Sequence, residues 1–159
     1  MPLDVRVERV ERDLILALRA RVLSGPGTRV AALSGDLSAT TRHWAAWLDD
    51  AVVGCVSVMR LRGWALRGMA VSAEHQRQGL GERLLGAVYT EVDGPMWCNA
   101  RLQAVSFYAH LGWAPVGPVF RMGDQMPHQR MTWTRVGTAA ARSGLREGRV
   151  SELRLESGQ

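Results

Sequence analysis

The segment "MAVSAEHQRQGLGERLLGAVYTEV", Met69 to Val92, limits the possible folds more than any other stretch of the chain. An apolar run ends at Val71, a polar turn follows, and Gly79 and Gly81 stand where a helix begins. From Leu80 the apolar residues take helical spacing: Leu80, Leu84 and Val88 fall four apart, and Leu85 and Val92 widen the same face. Each glycine costs about 1 kcal/mol against alanine in a helix interior, so two at a helix start call for a reason. A strand that enters a helix through such a turn aims several backbone N–H groups at one point. The first helical amides have no internal acceptor, and the helix dipole adds partial positive charge there. Glycine lets an anion approach the backbone closely, and the whole arrangement suits a phosphate. Gln76 and Arg77 stand at its rim, able to hydrogen-bond or pair with the charge.

The short pattern Gln/Arg-x-x-Gly-x-Gly/Ala also occurs as "RLRGWA", Arg60 to Ala65. That copy lies between two strand-like runs with no helix behind it, so it is expected to be a plain turn. For Gln76–Gly81 alone, a turn that merely lets strand and helix pack tightly is the competing reading.

Elsewhere the pattern alternates between strand and helix signals. "VERDLILALRARVL" places Val7, Val10, Leu14, Leu18 and Val22 three and four apart, which predicts an amphipathic first helix. "SGPGTRVAALSGDLSATT" reads as a loop. "RHWAAWLDD" and "AVVGCVSVMRL" predict a hairpin turning at Asp49-Asp50, and "WALRGMAVS" a further strand. After the Gly79 helix come a short strand in "GPMWCNA" and a helix from about Leu102 that stops at Gly112. "WAPVGPVFRM" and "HQRMTWTRV" close the series as an antiparallel pair. The expected fold is mixed α/β (α+β), a central and mostly antiparallel sheet flanked by helices. The tail from residue 137 to 159 shows no strong core face and is expected to be an extension, partly helical or disordered.

Composition narrows the function classes. At 159 residues, 47% hydrophobic and 22% charged, one globular domain is the simplest expectation. No apolar run approaches the roughly 20 residues of a membrane span, and "MPLDVRVERV" has no signal-peptide core. Cys55 and Cys98 are too few for a disulfide framework and lack metal-ligand spacing, so a reduced, cytoplasmic protein without a metal site or a membrane partner is expected. All 20 basic residues are arginine, and the net charge is +5. That balance favours an anionic partner. The arginines are scattered, with no basic run interleaved with aromatics, so an anionic small molecule is expected rather than nucleic acid.

"LRGMAVSAEHQRQGLGERLL" and, downstream and in the same order, "AVSFYAHLGWAPVGPVF" together resemble the GNAT acyltransferase superfamily. The first is similar to that family's acetyl-coenzyme A segment, the second to its Ala-x-x-Phe-Tyr helix ending in Gly-aromatic. The resemblance spans Leu3 to Val136, and it implies a GNAT domain over residues 1–136, with acetyl-CoA as co-substrate and an amine as acceptor. It implies that Met69, Ala70 and Val71 offer backbone groups to the pantetheine arm, which pairs like an added strand. Gln76, Arg77, Gln78, Gly79, Leu80, Gly81 and Glu82 would hold the diphosphate, mainly through amides. Tyr108 matches the tyrosine that protonates the departing thiolate. The family's frequent asparagine, seven residues before that tyrosine, would fall at Arg101, whereas this chain has Asn99 two residues earlier. Either residue could meet the pantetheine.

The implied reaction is acyl transfer from a thioester to an amine. An amine with a pKa of about 10.4 must become neutral to attack, and a leaving thiolate with a pKa of about 8.5 needs a proton. A tyrosine with a pKa of about 10 stays protonated at neutral pH and can supply it. A strand amide near Met69–Val71 can serve the oxyanion. No base is legible. His128, in the last hairpin, is a candidate for the acceptor side; Glu74, Glu82, His75 and His110 read as surface, cap or turn residues, and water could relay the proton. Cys98 has no histidine placed to activate it and reads as an inert thiol. A coenzyme A-binding sensor without transferase activity is the alternative, and pairing of edge strands into a homodimer is a further expectation.

Overall fold

The computed structural model describes residues 4–24, 29–122 and 126–135. The tail expected as an extension lies outside the described residues. Seven strands and three α-helices follow in the order β1 (Val5–Val10), α1 (Leu16–Leu23), β2 (Arg42–Leu48), β3 (Ala51–Arg60), β4 (Trp64–Val71), α2 (Leu80–Glu91), β5 (Met96–Arg101), α3 (Val105–His110), β6 (Ala114–Arg121) and β7 (Pro127–Trp133). Short 3-10 turns precede each helix, at Arg12–Leu14, Ala73–His75 and Leu102–Ala104. The chain divides into two compact units, Met1–Asp93 and Gly94–Gln159.

In the first unit the strands run β1-β2-β3-β4, each antiparallel to its neighbour. β2 and β3 turn at Asp49-Asp50, with Leu48 opposite Ala51 and Asp49 at φ +53. Successive side chains of a strand face opposite ways, and both faces here are covered. Ala45, Cys55 and Ala70 pack with Ile15 and Leu18 at the α1 side. One residue away, a Cβ at Gly54 would lie 3.0 Å from Leu84 Cδ1 of α2 on the other side. A strand covered twice reads as one continuous apolar run, and Val53 through Val58 of β3 are buried without interruption. α2 buries the stripe anticipated from its spacing, Leu80, Leu84, Leu85 and Val88.

The expected first helix divides in two. Val7 and Val10 belong to β1, which pairs along its whole length with β2 from Val5↔Leu48 to Val10↔His43. Only Leu18 and Val22 of the proposed stripe lie in α1, and Leu14 is exposed. "VRVERV" fits a helical spacing and a β-branched strand equally well; backbone pairing to an open sheet edge, a tertiary contact, decides it.

Several arginines lie over tryptophan rings: Arg6 on Trp47 at 5.6 Å, Arg9 on Trp44 at 5.3 Å, Arg42 and Arg60 on Trp64 at 5.0 and 5.2 Å. Guanidinium planes stack on indole faces and cover them from water, which gives much of the basic charge a structural task.

In the second unit the strands run β5-β7-β6, again antiparallel. α3 ends in a Schellman motif, with Trp113 N donating to the Tyr108 carbonyl at 3.0 Å and Gly112 N to that of Ala109 at 3.1 Å. Among the described residues no helix is long and apolar enough to cross a membrane.

Candidate functional site

β4 carries one residue more than β3 between the pairs Cys55↔Ala70 and Ser57↔Arg67. The surplus sits at Gly68–Met69, and Gly68 adopts φ +60, a left-handed conformation that glycine takes without strain. Such a β-bulge interrupts the ladder and turns backbone groups away from the neighbouring strand. Beyond the bulge, Met69, Ala70 and Val71 finish the strand, with Ala70 in the core and Met69 and Val71 half-buried.

From Val71 the chain turns toward α2 through a braced loop. His75 Nδ1 lies 2.6 Å from Ser72 Oγ, and Gln76 Nε2 donates to the Val71 carbonyl at 3.0 Å. The Gln76 side chain therefore holds the loop to the strand. Arg77 has φ +64 and Gly79 φ +82. A positive φ is uncommon for a residue with a Cβ, and such strain concentrates at functional turns. Gly79 is the N-cap of α2 and offers no side chain to the first helical amides; the first turn of the ladder starts with Arg83 N on the Gly79 carbonyl at 3.1 Å. A Cβ at Gly79 would meet nothing within 4 Å. Gly79 itself is exposed, as are Arg77, Gln78 and Glu82 beside it in the chain. The decoy pattern at Arg60–Ala65 is, as expected, a turn from β3 to β4 with no helix behind it.

In the second unit, Tyr108 is buried at 5% exposure. Its ring stands edge-on to Phe107 at 5.1 Å and tilted against Trp113 at 5.2 Å. The phenol hydrogen-bonds the thiol of Cys98. Asn99 and Arg101 alternate with the buried Cys98 and Ala100, so the two candidates for the pantetheine share one face of β5. Asn99 Oδ1 accepts from Arg130 Nε at 2.9 Å, and Arg130 stacks on Trp97 at 4.2 Å. His128 is buried, its ring stacked on Phe120. Its Nδ1 lies 2.8 Å from the Met126 carbonyl. A carbonyl only accepts, so Nδ1 carries the proton and a neutral His128 presents Nε2 as an acceptor. His110 and Glu74 are exposed at the surface.

Burial pushes the Cys98 thiol up to about 12, against the opposing pull of the Tyr108 hydrogen bond and the Arg130 charge. Cys55 is likewise pushed up to about 12 by burial, with the Arg19 charge and an Ala70 backbone hydrogen bond opposing. A thiol that stays protonated is a poor nucleophile. Iodoacetamide at pH 8 is therefore expected to leave both cysteines intact in the native protein and to modify both once urea unfolds it, read by intact mass.

Sequence reasoning missed a buried polar cluster in the first unit. Arg19 of α1 is fully buried; its Nη1 donates to Asp36 Oδ2 at 2.7 Å and to the Ala31 carbonyl at 2.8 Å. Its Nη2 donates to Ser57 Oγ at 2.9 Å, and Ser57 Oγ lies 2.6 Å from His43 Nδ1. His43 Nε2 lies 3.0 Å from the Asp36 carbonyl, which only accepts, so Nε2 carries a proton. Ser57 and His43 resemble a hydrolytic pair, yet Ser57 is fully buried and its oxygen already accepts from Arg19. The cluster is structural. One signal was present in the sequence: Arg19 follows Ile15 by four residues and adjoins Leu18, so it lies in the buried stripe of α1. Among the described residues no group of three or more His, Cys, Asp and Glu could hold a metal ion.

A family model, the acetyltransferase (GNAT) domain, matches residues 26–135. Solved structures with the same fold include Escherichia coli ElaA, at 18% identity and TM-score 0.69, covering 80% of this chain and 98% of that one. An aminoglycoside 6'-N-acetyltransferase complexed with coenzyme A matches at 16% identity and TM-score 0.67, over 84% of this chain and 98% of that one. The ribosomal-protein-S18-alanine N-acetyltransferase of Escherichia coli matches at 16% identity and TM-score 0.65, over 85% and 97%. No curated protein sequence matches the chain.

Proposed function

The chain belongs to the GNAT acetyltransferase family, and from that premise we propose that it transfers an acetyl group from acetyl-CoA to an amine by direct attack. The observation that carries the reading is the uncapped start of α2, with Gly79 exposed at φ +82 and no atom within 4 Å of its Cβ position. A diphosphate suits that start because it brings the negative charge that the helix dipole and the unpaired N–H groups favour. Arg77 through Glu82 form its cradle. Met69 to Val71 give the pantetheine arm a strand to run along, and Gln76, bonded to Val71, holds cradle and strand together.

The chemistry follows from the groups assigned. A backbone N–H at the Gly68–Met69 bulge, turned out of the ladder, stabilises the oxyanion formed when the amine attacks the thioester carbon. Collapse breaks the C–S bond, and the departing thiolate takes the phenolic proton of Tyr108. The amine loses its proton through water or through Nε2 of His128. Asn99 binds the pantetheine through its side-chain amide, and Arg101, on the same strand face, is the alternative.

Calorimetry with acetyl-CoA, followed by thiol release in the presence of a panel of amines, tests the proposal. Binding with thiol release for at least one amine supports a transferase. Binding without release for any of them leaves a sensor, and absence of binding removes the reading. Gly79→Asp provides a local check. It puts a carboxylate where the diphosphate is held, so acetyl-CoA affinity should fall about thirtyfold, in line with the ~2 kcal/mol that a helix terminus gives a favourably placed charge. Because φ +82 strains any residue with a Cβ, the loss is read against Gly79→Ala, which carries the same strain without the charge.

A further inference from the structure

We infer that Arg19, far from the diphosphate cradle in sequence, is a positioning residue that sets the β4 bulge for the thioester carbonyl. The inference rests on the acyl-CoA reading above. Gly68 is the pivot. A Cβ built on it would lie 2.7 Å from Arg19 Nε, 3.2 Å from Cζ and 3.3 Å from Nη2. The guanidinium thus lies directly against the Gly68 Cα, in the place a side chain would take. Arg19 Nε itself is buried with no hydrogen-bond partner. An orphaned donor on a charged group is unfavourable, and it persists here because the rest of the guanidinium is fixed by Asp36, Ser57 and the Ala31 carbonyl.

Other contacts hold the same point. The Gly68 carbonyl accepts from the Cys55 thiol at 3.5 Å. The adjacent Arg67 donates from Nη1 to the Ser34 carbonyl, and a Cβ at Gly35 would lie 3.3 Å from that nitrogen. Asp36 also accepts from the Leu33 amide at 2.8 Å and holds His43 through its own carbonyl. Two neighbouring residues of the 29–41 loop, Ser34 and Asp36, are therefore fastened to two neighbouring positions at the bulge. The 29–41 loop and the strand segment proposed to meet the thioester are thus joined through Arg19 and Arg67. Arg19 suits this task because a planar fork can span Asp36 and Ser57 together, which a lysine ammonium cannot do.

The test compares affinities for acetyl-CoA and for S-ethyl-CoA, a thioether that lacks only the carbonyl. Wild type should prefer acetyl-CoA by about tenfold, the worth of one hydrogen bond to the carbonyl. In Arg19→Met and Arg19→Lys the preference should fall to near unity, with S-ethyl-CoA binding unchanged because the cradle is intact. A general loss of structure would weaken both ligands together. Ser57→Ala leaves Gly68 as it is and removes one of the groups that fix the guanidinium, so the preference should fall there too. It decides the matter if the Arg19 variants fail to fold. A preference that survives in any folded variant of the three overturns the inference. Failure of wild type to bind either ligand overturns the acyl-CoA reading, and the role of Arg19 with it; equal binding of both by wild type overturns the bulge contact alone.

Discussion

With Tyr108 replaced by Phe, acetyl transfer should slow by about 10²–10⁴-fold, the usual worth of a positioned general acid. Acetyl-CoA should bind as before. The substitution removes one oxygen from a ring held on two sides, by Phe107 and Trp113, on a helix whose last turn closes on the Tyr108 carbonyl. The ring keeps its place, so the rate reports the hydroxyl. The native hydroxyl bonds the Cys98 thiol, a weak partner whose loss should cost no more than about 1 kcal/mol of stability. Cys98→Ala is the matching control: it removes that partner, keeps the phenol and should retain the rate. Single-turnover thiol release measures both. An unchanged rate in Tyr108→Phe would assign the proton to water and leave Tyr108 a packing role.

The second large effect concerns stability. Asp36→Ala should destabilise the fold by about 3–5 kcal/mol, because it leaves the Arg19 guanidinium buried without its counter-ion. The pair is at 2.7 Å with side chains 0% and 3% exposed. Burial alone would raise the Asp36 pKa. The hydrogen bonds from Arg19 and the Leu33 amide, with the Arg19 and His43 charges, outweigh it and hold the carboxyl below its usual 3.8. A depressed folded pKa means that the ionised carboxylate stabilises the protein above pH 3.8, and that this contribution disappears as the pH falls through the folded value. Urea midpoints of wild type and Asp36→Ala should therefore differ most at neutral pH and converge under acid. Arg19→Met combined with Asp36→Leu should recover part of the loss, since an apolar pair of similar volume can replace a buried ion pair. Equal urea midpoints at pH 7 would mean that the pair contributes nothing net.

What the sequence disclosed and what it withheld separate by the range of the interaction. The Gly79 turn and the helix behind it were legible because their ingredients are local: a β run, Gly79, and an apolar stripe of period four from Leu80, all within about 25 residues. The β2–β3 hairpin and the stop at Gly112 were legible for the same reason. β1 was misread because "VRVERV" satisfies two periodicities, and the partner that decides between them, β2, lies some 40 residues away. The Arg19 cluster draws on α1, the 29–41 loop, β2 and β3, four segments that no local pattern links. Asn99 could be placed on a strand from the sequence, but its bond to Arg130 depends on the β5–β7 register. The acetyltransferase family assignment rests on a match to residues 26–135, which covers the Gly79 cradle and Tyr108 but leaves Arg19 outside it.

The extra residue of β4 serves the backbone rather than the packing. Ala70 and Arg67, three positions apart, both stand opposite residues of β3 that face the α1 side, Cys55 and Ser57. Across the surplus, odd and even exchange sides. Deleting Gly68 would leave Arg67 and Ala70 two positions apart, so plain alternation would keep both on the α1 side and let Met69 close the ladder opposite Val56. The surplus residue is therefore not needed to keep Ala70 in the interior; what its loss would remove is the interruption of the ladder and the backbone groups turned away there.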